Sequence, residues 1–137
     1  MILVDTGFLY ALQDSDDKWH RRSVELAEAT EEIWITTWPV VTEAVYLLMR
    51  WLGTRPAIAL LEDIATRTIR VWQLEDSAVA RLPALMGRYA DLPMDLADAS
   101  LVLLAESLGH GQIATTDERD FRTYRWKNRR PFTNLLN

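Results

Sequence analysis

No cysteine occurs among the 137 residues, which excludes disulfides, thiolate metal sites and cysteine nucleophiles. The only histidines are His20 and His110, distant in sequence, so neither a histidine-rich metal site nor a Ser/His/Asp triad is indicated. Long apolar runs are also missing. Among the longest uncharged stretches, Ile33 to Thr42 has ten residues, against the roughly 18 needed to span a bilayer, so no membrane-spanning helix is expected. Met1-Ile-Leu-Val-Asp has no basic region and meets a charge early, so no signal peptide fits and a cytoplasmic location is expected. No repeat, linker or low-complexity tract interrupts the chain.

What is present is the balance of a soluble globular protein, 49 % apolar and 26 % charged. At roughly 100 to 200 residues per domain the length predicts one domain over residues 1–137. Twenty acids against fifteen bases give a net charge of −5, which on its face argues against a nucleic-acid partner. The distribution changes that argument. Six of the fifteen bases, Arg119, Arg122, Arg125, Lys127, Arg129 and Arg130, fall within twelve residues near the C-terminus. Such a cluster is either a solvated face or a binding surface.

Ile2-Leu-Val-Asp5 reads as a short buried strand, followed by a short helix through the apolar segment Phe8 to Leu12. Asp16 or Asp17 caps a helix running to about Ala29, with His20 as a satisfied core residue on the face of Val24 and Ala27. Ile33 to Thr37 is a second strand. Pro39 opens a helix whose stripe Val40, Ala44, Leu47, Leu48, Trp51 repeats until Gly53. Thr54 and Pro56 start another, to about Ala65. Ile69 to Trp72 is a third strand, and a single helix kinked at Pro83 is expected from about Asp76 to Tyr89. Asp95 caps the next helix, which ends at Gly109. Gln112 to Thr116 is a fourth strand, one or two helical turns cover Asp117 to Tyr124, and Phe132 to Leu136 forms a last short strand. The alternation predicts an α/β fold with a mainly parallel sheet and right-handed crossovers. In such sheets ligands sit beyond the carboxyl ends of the strands, where strand order reverses.

Asp5 ends the first strand and Asp117 follows the fourth, so both project from that edge, and Glu43 lies early in the helix after the second strand. Asp98 sits in the first turn of the helix before the fourth strand. It reaches the same edge if the segment from Tyr89 to Asp95 returns the chain there. Structural roles are open to these acids: Asp95 and Asp98 have capping-box spacing at a helix start, and Glu43 lies at the margin of an apolar face. Taken as a set, though, they are poorly compensated acids at apolar element ends, and buried carboxylates are rare unless paired or metal-bound. A cation site is the better account. All-oxygen ligands point to a hard ion, Mg2+ or Mn2+. Asp5-Thr-Gly7 also matches the aspartic protease triplet, but those enzymes are β-rich and need two copies. An aspartyl phosphatase would want a second Asp where Gly7 stands.

Four segments, Ile2-Leu-Val-Asp5-Thr-Gly-Phe-Leu, Val41-Thr-Glu43-Ala, Asp95-Leu-Ala-Asp98-Ala-Ser-Leu and Ala114-Thr-Thr-Asp117-Glu-Arg-Asp120-Phe, together resemble the ordered acidic motifs of PIN-domain ribonucleases, in particular the small VapC-type toxins. The resemblance covers essentially the whole chain. It implies a PIN-like three-layer fold with a mainly parallel central sheet of four to five strands flanked by helices, a site for one or two Mg2+ or Mn2+ ions, and RNA cleavage. Residue by residue it assigns Asp5, Glu43, Asp98 and Asp117 to the family's acidic quartet and Thr116 to its hydroxyl before the last acid. Asp120 matches a further acid of some members, with pairing to a nearby Arg as the alternative. Glu118-Arg119 makes the last motif one residue longer than its compact version, which alters the register of Asp120.

Two divalent ions would offset four carboxylates, moving the formal charge from −5 to about −1 and letting phosphate approach. The basic cluster, with Tyr124 and Trp126 interleaved, offers phosphate contacts and stacking surfaces for single-stranded RNA, unless Trp126 packs against the body of the domain. The expected protein is a metal-dependent endoribonuclease, the toxin of a type II pair with a cognate antitoxin. Six tryptophans and long apolar helix faces suggest a homodimer. The rival readings are a non-catalytic PIN-fold module that docks a basic peptide, and a housekeeping RNA-processing nuclease.

Overall fold

The computed structural model describes residues 1–137. The apolar Ile2–Val4 forms β1, buried throughout, and Asp5 turns it into α1 (Thr6–Gln13) by accepting the Phe8 N–H at 3.1 Å. Then follow α2 (His20–Ala29), β2 (Trp34–Thr37), α3 (Trp38–Trp51), α4 (Thr54–Ala65) and β3 (Ile69–Trp72). The expected Asp76 to Tyr89 helix is instead two, α5 (Asp76–Val79) and α6 (Leu82–Arg88). Pro83 sits in the first turn of α6, where its missing N–H costs nothing, and so it starts a helix rather than kinking one. The next helix, α7 (Leu96–Leu108), has the predicted bounds, with Gly109 closing it in the left-handed conformation at φ 80°. After β4 (Gln112–Ala114) come α8 (Asp120–Thr123), a hairpin of β5 (Arg125–Trp126) and β6 (Arg130–Pro131), and β7 (Thr133–Asn134).

The main sheet has five strands in the order β3-β2-β1-β4-β7, and each of its four neighbouring pairs is parallel. The chain steps outward from β1 to β3, then crosses back to β4. Right-handed crossovers in opposite directions put helices on both faces. Strand order therefore reverses between β1 and β4, and the crevice at their carboxyl ends is the expected ligand position. Along α7, Ala97 and Ala99 to Ala105 are buried, and the helix packs on β1, β2, α3 and α6. A helix that leads into a parallel strand runs antiparallel to it, so α7 begins at the carboxyl edge. That geometry brings Asp98 to the crevice without any special course in the preceding loop. No helix is long and apolar enough to cross a membrane.

Candidate active site

Asp5, Glu43, Asp98 and Asp117 line one cavity of about 290 Å³ at the switch point, together with Asp95, Asp120 and Thr116. No lysine or arginine lines it. Each acid is delivered by an element end. Asp5 is the N-cap of α1, Glu43 lies one turn into α3, Asp95 and Asp98 open α7, and Asp117 follows β4. Asp5 is 8 % exposed and has both oxygens engaged, one with the Phe8 N–H and the other with the Thr115 hydroxyl. Burial pushes its carboxyl up to about 7, against the lowering effect of those two donors, and the charges of Asp117 and Glu43 add to the rise.

At the head of α7 the capping box is complete: Asp95 Oδ1 accepts the Asp98 N–H at 2.8 Å and Asp98 Oδ2 accepts the Asp95 N–H at 3.4 Å. The same Asp98 oxygen lies 3.3 Å from the hydroxyl of the buried Tyr124, which donates to it. Capping and cavity lining are thus one arrangement. Burial, then the neighbouring Asp95 charge, raises Asp98 to about 8. Burial also raises Glu43, with Asp95 adding to it, and raises Asp117, with the Asp120 carboxyl adding to it. Desolvation and mutual repulsion oppose ionisation of all four, and no cation of the protein relieves them.

Such a donor set, all oxygen and uncompensated, fits a divalent cation. No three of these acids already meet at ligating distance, so loading would draw side chains inward from the cavity walls.

Beside the expected Thr116 a second hydroxyl engages the acids. Thr115, fully buried, donates to Asp5 and its Oγ1 accepts the Asp117 N–H at 2.9 Å, tying together the ends of β1 and β4. Thr116 lines the cavity and packs so closely on Gly7 that a Cβ there would overlap its hydroxyl. The missed signal was the Thr-x-Asp spacing, which lets a hydroxyl bind the N–H two residues on. Thr115 is braced in turn by Asn134: its N–H donates to Asn134 Oδ1 at 3.2 Å and its carbonyl accepts from Asn134 Nδ2 at 3.0 Å. Asp95, expected only as a cap, also faces the cavity. Asp120 lines the cavity while accepting from Arg119 Nε at 3.3 Å. His20, half-buried, places Nδ1 2.7 Å from the Ala11 carbonyl, as a satisfied core histidine does.

The basic cluster departs most from expectation. Tyr124 and Trp126 are 0 % and 7 % exposed, so neither offers a stacking face. Trp126 donates through Nε1 to the Pro131 carbonyl at 3.0 Å. Arg125 Nη1 donates to the carbonyls of Arg122, Thr123 and Tyr124, closing the end of α8. Lys127 and Arg130 lie over the Trp126 ring, and the Lys127 N–H donates to Glu106, which also pairs with Arg81. Arg122 and Arg129 remain exposed.

A parallel sheet with an uncompensated acidic crevice at its switch point defines the class, and the chain belongs to the PIN domain family, whose model matches residues 2–127. It is similar to ribonuclease VapC26 of Mycobacterium tuberculosis, 26 % identical over 127 residues that cover 90 % of this chain and 92 % of that protein. The crystal structure of VapC20 from Mycobacterium tuberculosis, a toxin that cleaves the sarcin-ricin loop, shares the fold at a TM-score of 0.80. That match covers 87 % of this chain and 92 % of the other at 22 % identity.

Proposed function

We propose that the protein is a divalent-metal-dependent endoribonuclease that hydrolyses RNA phosphodiester bonds, and that it is the toxin of a type II pair held by a cognate antitoxin in the cytoplasm. The observation that carries this reading is the cavity itself: acids with raised pKa values and no cation among the lining residues, at the switch point of a PIN fold. The resemblance to ribonuclease VapC26 supports the reaction class.

In this reading Asp5, Glu43, Asp98 and Asp117 hold Mg2+ or Mn2+, as one or two ions. When bound, the metal supplies the positive charge that admits a phosphodiester and activates water for hydrolysis. The chain's own part is orientation. Thr115 fixes one Asp5 oxygen and the Asp117 backbone, so the two strand ends keep their spacing. The Asp95 N–H and the Tyr124 hydroxyl donate to the Asp98 carboxylate and hold it at the helix start. Thr116, at the cavity wall beside Gly7, is the hydroxyl this reading offers to the substrate. A homodimer is supported by Tyr46, Met49 and Trp51 on α3 and Ile58 on α4, all at least 49 % exposed.

The test uses end-labelled RNA and protein from a host free of contaminating nucleases. EDTA should abolish cleavage and Mn2+ or Mg2+ restore it. Full activity in EDTA would remove the reading.

A further inference from the structure

A groove of about 410 Å³ runs along β3, the outer strand of the sheet, from Arg67 before the strand to Trp38 and Trp72 near its carboxyl end. We propose that this groove receives the RNA strand on its way from the acidic cavity, with a base stacked on Trp38 and phosphates held by Arg67 and Arg70. It rests on the endoribonuclease reading and adds the path of the substrate.

Continuity with the site comes first. Glu43, Asp95 and Ala97 line both the acidic cavity and a neighbouring apolar groove, and Trp38 lines both that groove and the one along β3. The three concavities are neighbours, with Trp38 as the wall between the last two. Charge comes second. No carboxylate lines the β3 groove, and neither Arg67 nor Arg70 belongs to an ion pair of the chain. The Arg70 Nε is shielded from solvent with no hydrogen-bond partner. A buried donor left unmatched is destabilising, and the chain itself provides no acceptor for this guanidinium nitrogen.

The third observation is aromatic. Trp38 is 45 % exposed, a large indole left outside the core at the first turn of α3. Single-stranded RNA is held by this combination of stacking faces and cations. The C-terminal hairpin, which has the longer run of bases, lacks the stacking half because its aromatics are buried. Arginines also guard an edge strand against pairing with another chain, but guarding does not call for a shielded Nε or an exposed indole.

The experiment titrates a fluorescein-labelled single-stranded RNA of mixed sequence into the full chain in EDTA, at several salt concentrations. Arg67→Gln with Arg70→Gln should weaken binding about tenfold and reduce the log–log salt slope by about 1.4, two phosphates' worth for a single strand. Trp38→Ala should weaken binding by a similar factor with the slope unchanged. Should the double variant fail to fold, this exposed single change still decides the case, because unchanged affinity in it overturns the groove. Unchanged affinity and slope in the folded double variant also overturn it. So does a variant that binds RNA normally but alters the sedimentation of the protein, which would mark the groove as a contact between copies. The two readings separate cleanly: cleavage by the wild type in Mn2+ with undiminished binding by the variants removes the groove alone. Groove-dependent binding without any cleavage removes the nuclease alone.

Discussion

The acidic cavity and the C-terminal hairpin are both charge clusters visible in the sequence, and the fold treats them in opposite ways. The acids keep their charges unmatched: no lysine or arginine lines their cavity, and burial raises Asp5, Glu43, Asp98 and Asp117. Several of the bases instead serve the chain itself. Arg125 closes α8 through three carbonyls, and Lys127 and Arg130 cover the Trp126 indole. Charge density alone therefore does not mark a functional surface. What marks it is charge the fold declines to compensate.

The sharpest way to break this contrast is at the acids. Asp98→Asn keeps the shape and removes a ligand, so RNA cleavage in saturating Mn2+ should fall roughly a hundredfold or more. Metal-free, the same variant should melt a few degrees higher than the wild type, because a carboxyl that resists ionisation beside Asp95 has been neutralised. Metal should then stabilise the wild type strongly and the variant weakly. A variant that melts lower in EDTA, gains as much from metal and still cuts RNA would reduce Asp98 to its capping role.

The next effect in size separates the two threonines. Thr115→Val leaves Asp5 without its hydroxyl donor and the Asp117 N–H without its acceptor, and should cost about 10- to 100-fold in activity or metal affinity. Thr116→Val should cost less, and isothermal titration with Mn2+ beside cleavage rates would expose a reversed order.

Stability against pH follows with a definite sign. Folded pKa values of about 7 at Asp5 and about 8 at Asp98 exceed the ordinary 3.8. Between those limits the folded chain holds protons that the unfolded chain has released, so metal-free stability must fall as pH rises from about 4 toward 8. Melting in EDTA across that range should show the decline, and Mn2+ should flatten it. A melting temperature that climbs toward pH 8 without metal would mean the acids are compensated after all.

The smallest effects belong to the hairpin. Arg125→Ala should lower stability by about 1 kcal/mol with little change in RNA affinity. Arg122→Ala with Arg129→Ala should leave stability alone and flatten the salt dependence of binding slightly. Equal salt slopes lost in both variants would restore the cluster as one continuous RNA surface.

The elements best read from sequence were those whose local signals agree. Strand Ile69 to Trp72 kept its expected bounds, and so did α7, where an Asp cap and a terminal Gly bracket an apolar run. That Asp5, Glu43, Asp98 and Asp117 would line one cavity was legible because element ends in a parallel sheet share an edge. The hairpin was not, since its turn residues Lys127 and Asn128 adopt φ 50° and 63° without the glycine that usually announces such a turn. Nor was the bracing role of Thr115 beside Thr116, because two adjacent threonines after a strand differ only in which way the chain bends beyond it.

Asn134, in the final strand, lies three positions from the last of the 137 residues, yet its amide holds both backbone groups of Thr115, whose hydroxyl holds Asp5. The first acid of the chain is thus braced from the strand at the far edge of the sheet. A sheet that has lost β7 leaves Thr115 without that amide, and Asp5 with a hydroxyl partner that nothing steadies. The acidic cavity therefore leans on an edge strand of only two residues, so fraying at that edge reaches its most buried acid.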